Sequence, residues 1–208
     1  MSGEFFGGAA CPPFQFMDTA CIFIDGENLR HSVIDLFWDE FNPTDYLPRN
    51  ADWTGFFDAL TQHALAETRL RSYWYVVEDI DFHPWGLKRL LNDPDPLKLR
   101  SVLCRDKDCT NQLDAITNEA EKISWARQRA EEYLEGERII KARFEGWEIF
   151  QDGISGKFDA VEFRRSGSIV YNLHRRRFGT EKAVDVKLAT DLLELRDIYD
   201  IGTMLSQC

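Results

Sequence analysis

Basic side chains and long apolar runs are both scarce in this sequence of 208 residues. Its 25 lysines and arginines stand against 36 aspartates and glutamates, and the net charge of −11 disfavours non-specific binding to nucleic acids or anionic membranes. No stretch approaches the roughly 18 apolar residues that a membrane span requires. Residues 1–17 contain no lysine or arginine and no long apolar run, which is not typical of a secretory signal. We therefore expect a cytoplasmic protein that does not enter a membrane.

Cysteine is also scarce, and its spacing is irregular. The five cysteines are an odd number and do not describe a disulfide framework. Cys104 and Cys109 have four residues between them, but no second pair of cysteines or histidines accompanies them, so the sequence disfavours a zinc site. A glycine-rich phosphate loop and a Gly-x-Ser-x-Gly motif are absent as well. These absences exclude the commonest nucleotide-binding and serine-hydrolase signatures.

The apolar content is nevertheless sufficient for a packed core. Apolar residues make up 44% of the chain, and aromatic residues alone make up 13%. Glycine and proline pairs interrupt residues 1–18, which predicts a flexible leader there and a single domain over residues 19–208.

The most informative stretch runs from Cys21 to Asn28 and reads CIFIDGEN. Its apolar run predicts a buried strand that ends at Asp25 and turns at once into a helix. Asn28 follows Asp25 by three residues, so both side chains can face one point. A buried acid at the carboxyl end of a strand needs a hydrogen bond, an ion pair or a cation. Turn formation or capping is the alternative role for such an aspartate.

The order of strand, helix and strand at the start of the domain predicts a βαβ unit, which favours an α/β fold with a parallel sheet. The elements predicted after the first strand are a helix over Leu29–Phe37, loops at 42–45 and 47–50, a helix capped by Asp52, a strand over Leu70–Val77, a short helix over Phe82–Leu91, a strand or extended loop over Leu99–Cys104, one or two long helices between residues 112 and 143, a strand over Trp147–Phe150, a loop at 152–156, a β-hairpin near 160–173, a helix over Thr180–Leu195 and a last strand over Ile198–Leu205.

A second acid is predicted to meet Asp25 at one edge of the sheet. A helix that begins near residues 181–184 places Asp185 in its first turn, and helix N-termini share an edge with strand C-termini in a parallel sheet. Two converging carboxylates repel each other unless a cation lies between them, and oxygen ligands suit Mg²⁺ or Mn²⁺. A first-turn helix acid can also be purely structural. Asp191 lies roughly 9 Å further along the helix, where geometry alone indicates a supporting or structural role.

Arginine is concentrated between Phe163 and Phe178, a segment that contains no acid. Such a segment is a candidate phosphate-binding surface, and a solvated hairpin is the alternative. Its five arginines are Arg164, Arg165, Arg175, Arg176 and Arg177.

Two segments together, Phe23–Asn28 and Glu181–Asp191, resemble the NYN domain, a PIN-like nuclease family that includes the LabA-like proteins. The resemblance implies a PIN-like three-layer fold with a central parallel sheet flanked by helices, an acidic site for one or two divalent ions, and hydrolysis of RNA phosphodiester bonds. Asp25 matches the first acid of the family and Asn28 the amide beside it. Asp185 and Asp191 match its two helix acids. The arginines named above and Lys182 would then contact RNA.

The resemblance departs from the family pattern near residue 208. Ile201–Ser206 resembles the approach to a Ser-Gly-Asp-x-Asp-Phe type motif, but Cys208 stands where the next acid is expected. We therefore expect either a truncated chain or a lost acid, with weakened or abolished catalysis, and a homodimer or partner chain could complete the site.

The leading hypothesis is a metal-dependent ribonuclease, and the alternative is a catalytically impaired module of the same fold that binds RNA or protein. A phosphatase with Asp25 as nucleophile ranks below both, because no second acid follows two residues later.

Overall fold

The structure is a computed structural model, and it describes residues 18–36 and 51–206. Most of the predicted leader, the loops predicted between residues 42 and 50, and Cys208 lie outside the described residues. The elements follow one another as β1 (Thr19–Asp25), α1 (Gly26–Leu36), α2 (Trp53–His63), β2 (Thr68–Val76), β3 (Asp79–His83), α3 (Leu87–Leu91), α4 (Pro96–Leu103), α5 (Lys107–Asp114), α6 (Glu119–Lys157), β4 (Val161–Arg165), β5 (Ser168–Asn172), β6 (Arg177–Lys182), α7 (Val184–Glu194) and β7 (Ile201–Leu205).

The central sheet has the strand order β4-β2-β1-β7, and every pair of neighbours in it is parallel. This confirms the predicted α/β fold with a central parallel sheet. β1 lies between β2 and β7, and its residues from Ala20 to Asp25 are all buried. The apolar run that predicts a buried strand is therefore the centre of the sheet.

Side chains alternate between the two faces of this sheet, and helices cover both faces. Ile22, Ile24 and Trp74 pack against aromatic residues of α2 and α6. Phe23 on the opposite face packs with Val184 of α7. The result is a three-layer arrangement with helices on each side of the sheet. Trp74 is fully buried, and its truncation to alanine would cost on the order of 3–5 kcal/mol.

A second, smaller sheet has the order β3-β5-β6, with β3 parallel and β6 antiparallel to β5. The hairpin predicted near 160–173 is wrong, because β4 pairs with β2 and β5 belongs to the smaller sheet. Ser166 donates its backbone N–H to the Val76 carbonyl at 3.0 Å, and Gly167 has a φ of 68°, so the chain leaves the central sheet there. The antiparallel pair comes one strand later.

The 39-residue helix α6 is about 58 Å long and contributes to the cores beside both sheets. The predicted strand over Trp147–Phe150 and the loop at 152–156 are wrong, since both lie inside this helix. Trp147, Gln151 and Ile154 are buried at helical spacing, whereas a Cβ added at the glycines of this segment would meet no neighbouring atom. Burial of one face therefore outweighs the local turn signal.

Other segments also differ from the prediction. The short helix predicted over Phe82–Leu91 begins only at Leu87, because Phe82 and His83 belong to β3. The segment predicted as a strand or loop at Leu99–Cys104 is helical, because Asp95 caps α4 through the Leu97 N–H at 3.0 Å and Pro96 fills the first position. The helix predicted from Thr180 begins only at Val184, since β6 continues to Lys182.

No helix within residues 18–36 and 51–206 combines the length and the apolar character needed to cross a membrane.

Candidate metal centre

The junction of β1 and α1 brings Asp25 to the carboxyl edge of the central sheet. Asp25 is the last residue of β1, and α1 begins at Gly26. A Cβ at Gly26 would overlap the backbone oxygen of Tyr75 and would lie 2.8 Å from both Trp74 Nε1 and Val76 Cγ1. Only glycine fits between this turn and β2, which explains its place directly after the acid.

Asp25 is held by hydrogen bonds from the first turn of α1. Its Oδ1 accepts the backbone N–H of Asn28 at 3.0 Å, and its Oδ2 accepts the side-chain amide of the same residue. The side chain of Asp25 is buried, with 3% of the residue exposed. The structure confirms that these two residues lie together, and their contact fixes the orientation of the carboxylate.

Three acids converge at this edge. Oxygen atoms of Asp25, Glu181 and Asp185 all lie within 4.8 Å of one another, and we call these three residues the acid cluster. Asp185 lies in the first turn of α7, as predicted, so the expected approach of Asp25 and Asp185 is confirmed. Sequence reasoning missed Glu181 because it assigned this residue to the start of the helix. The signal was available: Glu181 lies four residues before Asp185 in the segment that carries the family resemblance.

Burial and mutual repulsion disfavour the charged forms of Glu181 and Asp25. Burial, together with the neighbouring carboxylates of Asp25, Glu27 and Asp185, raises the pKa of Glu181 to about 7. Burial also raises the pKa of Asp25, although the hydrogen bonds from Asn28 oppose this effect. Oε2 of Glu181 is buried and has no hydrogen-bond partner among the described residues. A cation would relieve both the repulsion and the unsatisfied oxygen.

The acid cluster lines a cavity of about 290 Å³, together with Glu27, Asn28, Thr180 and neighbouring residues. Glu27 forms an ion pair with Arg30 at 3.0 Å, so its charge is largely compensated. The three acids of the cluster offer only oxygen ligands, which fit Mg²⁺ or Mn²⁺ better than zinc.

Ser206 is a second residue at this site that the sequence did not indicate. β7 pairs with β1 in parallel, as the predicted last strand requires, and leads the chain to Asp25. The hydroxyl of Ser206 lies 3.2 Å from the side-chain nitrogen of Asn28 and 3.5 Å from Oδ2 of Asp25. The end of β7 therefore borders the acid cluster.

Asp191 lies in α7 but does not belong to the acid cluster. It is 1% exposed, and its Oδ1 accepts a hydrogen bond from Lys187 at 2.7 Å. Its Oδ2 accepts hydrogen bonds from Arg164 and from the hydroxyl of Tyr75, both at 3.0 Å. This placement agrees with the supporting or structural role that helix geometry predicts, and the structure does not bring Asp191 to Asp25 as the resemblance implies.

The predicted basic surface is divided. Arg164 is paired with the buried Asp191, and Arg165 is paired with Asp152 at 2.7 Å. The three arginines at 175–177 are exposed in and next to the turn between β5 and β6. Arg177 begins β6 and Glu181 lies four residues on, so about 13 Å of strand separates them. Lys182 is also exposed, at the same end of β6 as the acid cluster.

The fold and the acid cluster define an α/β protein with an acid-lined cavity at the carboxyl edge of a parallel sheet. Comparisons with protein-family models, with curated proteins and with solved structures found no match to this chain. The resemblance to the NYN domain therefore rests on the residues of its two segments.

Proposed function

We propose that this chain is a divalent-cation-dependent ribonuclease of the NYN type. The observation that carries the proposal is the convergence of Asp25, Glu181 and Asp185 within 4.8 Å at the carboxyl edge of the sheet. Mg²⁺ or Mn²⁺ is the proposed cation, and RNA is the proposed substrate. A cytoplasmic location belongs to the same proposal and is supported by the irregular, odd-numbered cysteines.

The charge balance of the acid cluster supports a cation. Within residues 18–36 and 51–206, the ion pairs of nearby basic groups go elsewhere: Lys187 and Arg164 bind Asp191, and Arg30 binds Glu27. Among the side chains that the structure describes, the acid cluster has no basic partner in an ion pair. Three carboxylates without a counter-charge are costly, and a hard cation offsets that cost.

The residues of the chain have separable roles in this proposal. A bound Mg²⁺ or Mn²⁺ supplies polarisation of the phosphate and a lowered pKa for the attacking water. Asp25, oriented by its hydrogen bonds from Asn28, and Asp185, in the first turn of α7, would hold the cation. Glu181 would be a third ligand, and because its pKa is raised to about 7, its carboxyl group would lose its proton near neutral pH. Exposed Lys182 lies beside this site and would neutralise a backbone phosphate.

The test is cleavage of labelled single-stranded and hairpin RNA by the purified chain in Mg²⁺, in Mn²⁺ and in excess chelator. We expect cation-dependent cleavage that Asp25→Asn and Asp185→Asn each remove. Asp114→Asn is the matched control, because Asp114 is an exposed acid at the end of α5. Full cleavage in either site variant, or in chelator, would contradict the proposal.

A non-catalytic RNA-binding module is the second candidate, and the exposed Arg175, Arg176 and Arg177 favour it because even Arg177, the first residue of β6, lies about 13 Å of strand away from Glu181. It predicts RNA binding without turnover, unaffected by chelator and lost when the three arginines are replaced by glutamine. Light scattering with and without RNA would show whether a homodimer or a partner chain completes the site.

A further inference from the structure

A second group of metal-ligand side chains lies beside the smaller sheet, on elements other than those of the acid cluster. Cys109 lies in the first turn of α5, and Asp106 is the residue that caps this helix. His174 lies in the turn between β5 and β6. Ligand atoms of these three residues lie within 4.8 Å of one another. Segments that are 65 residues apart in sequence thus bring a thiol, an imidazole and a carboxylate to one point.

The distances in this group match those of ligands that share one zinc ion. Sγ of Cys109 lies 3.7 Å from Nδ1 of His174. Zinc bonds of about 2.3 Å to sulfur and about 2.0–2.1 Å to nitrogen, at a tetrahedral angle, separate the two ligand atoms by about 3.6 Å. The pair is therefore placed for zinc without movement of the backbone.

An unpaired imidazole nitrogen of a neighbouring histidine provides an independent indication of a ligand. Nε2 of His174 and Nδ1 of His83 are buried and have no hydrogen-bond partner among the described residues. The two rings are neighbours, with centroids 5.9 Å apart. Buried polar atoms without partners are uncommon in folded proteins, and Nδ1 of His83 is accounted for if it faces a bound ion, whereas an ion held by Nδ1 of His174 leaves Nε2 of that ring as its N–H.

We propose that Asp106, Cys109 and His174 form a zinc site, with His83 next to the fourth position. A thiolate and an imidazole select zinc over Mg²⁺ or Mn²⁺, so this site and the acid cluster take different metals. Cys109 is 2% exposed, which fits a structural ion and leaves no access for a substrate. The ion would fasten the turn between β5 and β6 to α5.

Tyr133 of α6 completes the surroundings of the site. Its hydroxyl lies 3.4 Å from Sγ of Cys109 and 2.9 Å from Nδ1 of His174. In the zinc form this hydroxyl donates to the thiolate, the kind of outer contact that orients metal ligands. Without zinc, Cys109, Tyr133 and His174 form a hydrogen-bonded network of neutral groups, and this network is the competing explanation of their geometry.

The test is zinc content and cobalt spectroscopy on the full chain carrying Asp25→Asn and Asp185→Asn, so that the acid cluster does not contribute. We expect about one zinc per chain after dialysis, and a thiolate-to-cobalt charge-transfer band after replacement by Co²⁺. Cys109→Ser should remove both signals, and His174→Ala should remove the bound zinc. Cys104→Ser and His63→Ala are the matched controls, because neither residue belongs to the group, and both should retain the ion.

If the Cys109 and His174 variants fail to fold, the chain that retains both residues still tests the proposal. Chelator should lower the melting temperature of that chain, and added zinc should restore it. Absence of bound zinc and of the charge-transfer band, or equal zinc content in the Cys109→Ser chain, would overturn the proposal and leave the neutral network. This outcome is independent of RNA cleavage, because zinc content and the cobalt spectrum do not report on the acid cluster.

Discussion

Replacement of Glu181 by glutamine should stabilise the metal-free protein and at the same time remove its response to Mn²⁺. The pKa of Glu181 is raised from 4.5 to about 7, so the folded state binds a proton that the unfolded state has released. The sign follows from linkage: this contribution to stability is present below pH 4.5 and is lost as the pH rises to about 7. Above pH 7 the folded protein carries the full cost of the ionised group.

The magnitude follows from the same shift. At about 1.4 kcal/mol for each pH unit between 4.5 and 7, the cost is about 3 kcal/mol. Glu181 keeps part of its surface in solvent, which reduces the effect to about 1–3 kcal/mol. Glu181→Gln should therefore raise the melting temperature at pH 8 by about 2–12 °C in chelator, and by much less at pH 5. Mn²⁺ should stabilise the original chain at pH 8 and leave the variant unchanged.

Thermal unfolding of the original chain and of the variant at pH 5 and pH 8, in chelator and in Mn²⁺, measures these differences in melting temperature. Glu194→Gln is the matched control, because Glu194 is an exposed acid of α7, and it should change neither the pH dependence nor the effect of Mn²⁺. The reasoning would be refuted by a variant that is less stable than the original chain at pH 8 in chelator. Equal stabilisation at both pH values would also refute it, because the cause would then not be the charge of Glu181.

Two further substitutions probe the surroundings of the acid cluster. Asp191→Asn should lower the free energy of unfolding by about 2–4 kcal/mol, because it leaves Arg164 and Lys187 without their buried partner. Chemical denaturation measures this loss, with Asp197→Asn as the control. A loss below about 0.5 kcal/mol would contradict the prediction. Gly26→Ala should destabilise the protein by more than about 1 kcal/mol and weaken Mn²⁺ binding, because its Cβ would overlap the backbone of β2. Gly153→Ala in α6 is the control and should stabilise the protein, since its Cβ meets open space and alanine favours a helix over glycine by about 0.5–1 kcal/mol. Equal effects of the two glycine substitutions on stability would contradict the steric reason.

The parts of the fold that were predicted correctly are those that neighbouring residues encode. The apolar run before Asp25 identifies β1, and Asp52 caps α2 through the Gly55 N–H at 2.9 Å, as its position predicts. Asp185 falls in the first turn of α7, so the shared edge of a parallel sheet was enough to predict its approach to Asp25. These inferences need only local spacing and one rule of sheet geometry.

Several of the parts that were predicted wrongly depend on partners that are distant in sequence, whereas the helix at Leu99–Cys104 was missed although its cap, Asp95 with Pro96, is local. Alternation marks β4 and β5 as half-buried strands, but it does not say that β4 pairs with β2 while β5 enters another sheet. Glu181 was missed for the same reason: β6 is a strand because it pairs with β5, and the residues alone read as the start of a helix. The zinc-type group escaped because Cys109 meets His174 only through the tertiary fold.

The two acids of α7, Asp185 and Asp191, have different electrostatic roles. Six residues of helix separate Asp185 from Asp191 by about 9 Å and about 120° of rotation, so one ion cannot bind both. Asp191 instead holds Lys187, which lies only two residues from Asp185, at 2.7 Å. Residues two positions apart on a helix do not face each other, so this ammonium group is directed away from the side of Asp185. A helix motif with two acids is therefore explained by one acid that meets Asp25 and a second that holds basic side chains of the surrounding structure, Lys187 and Arg164.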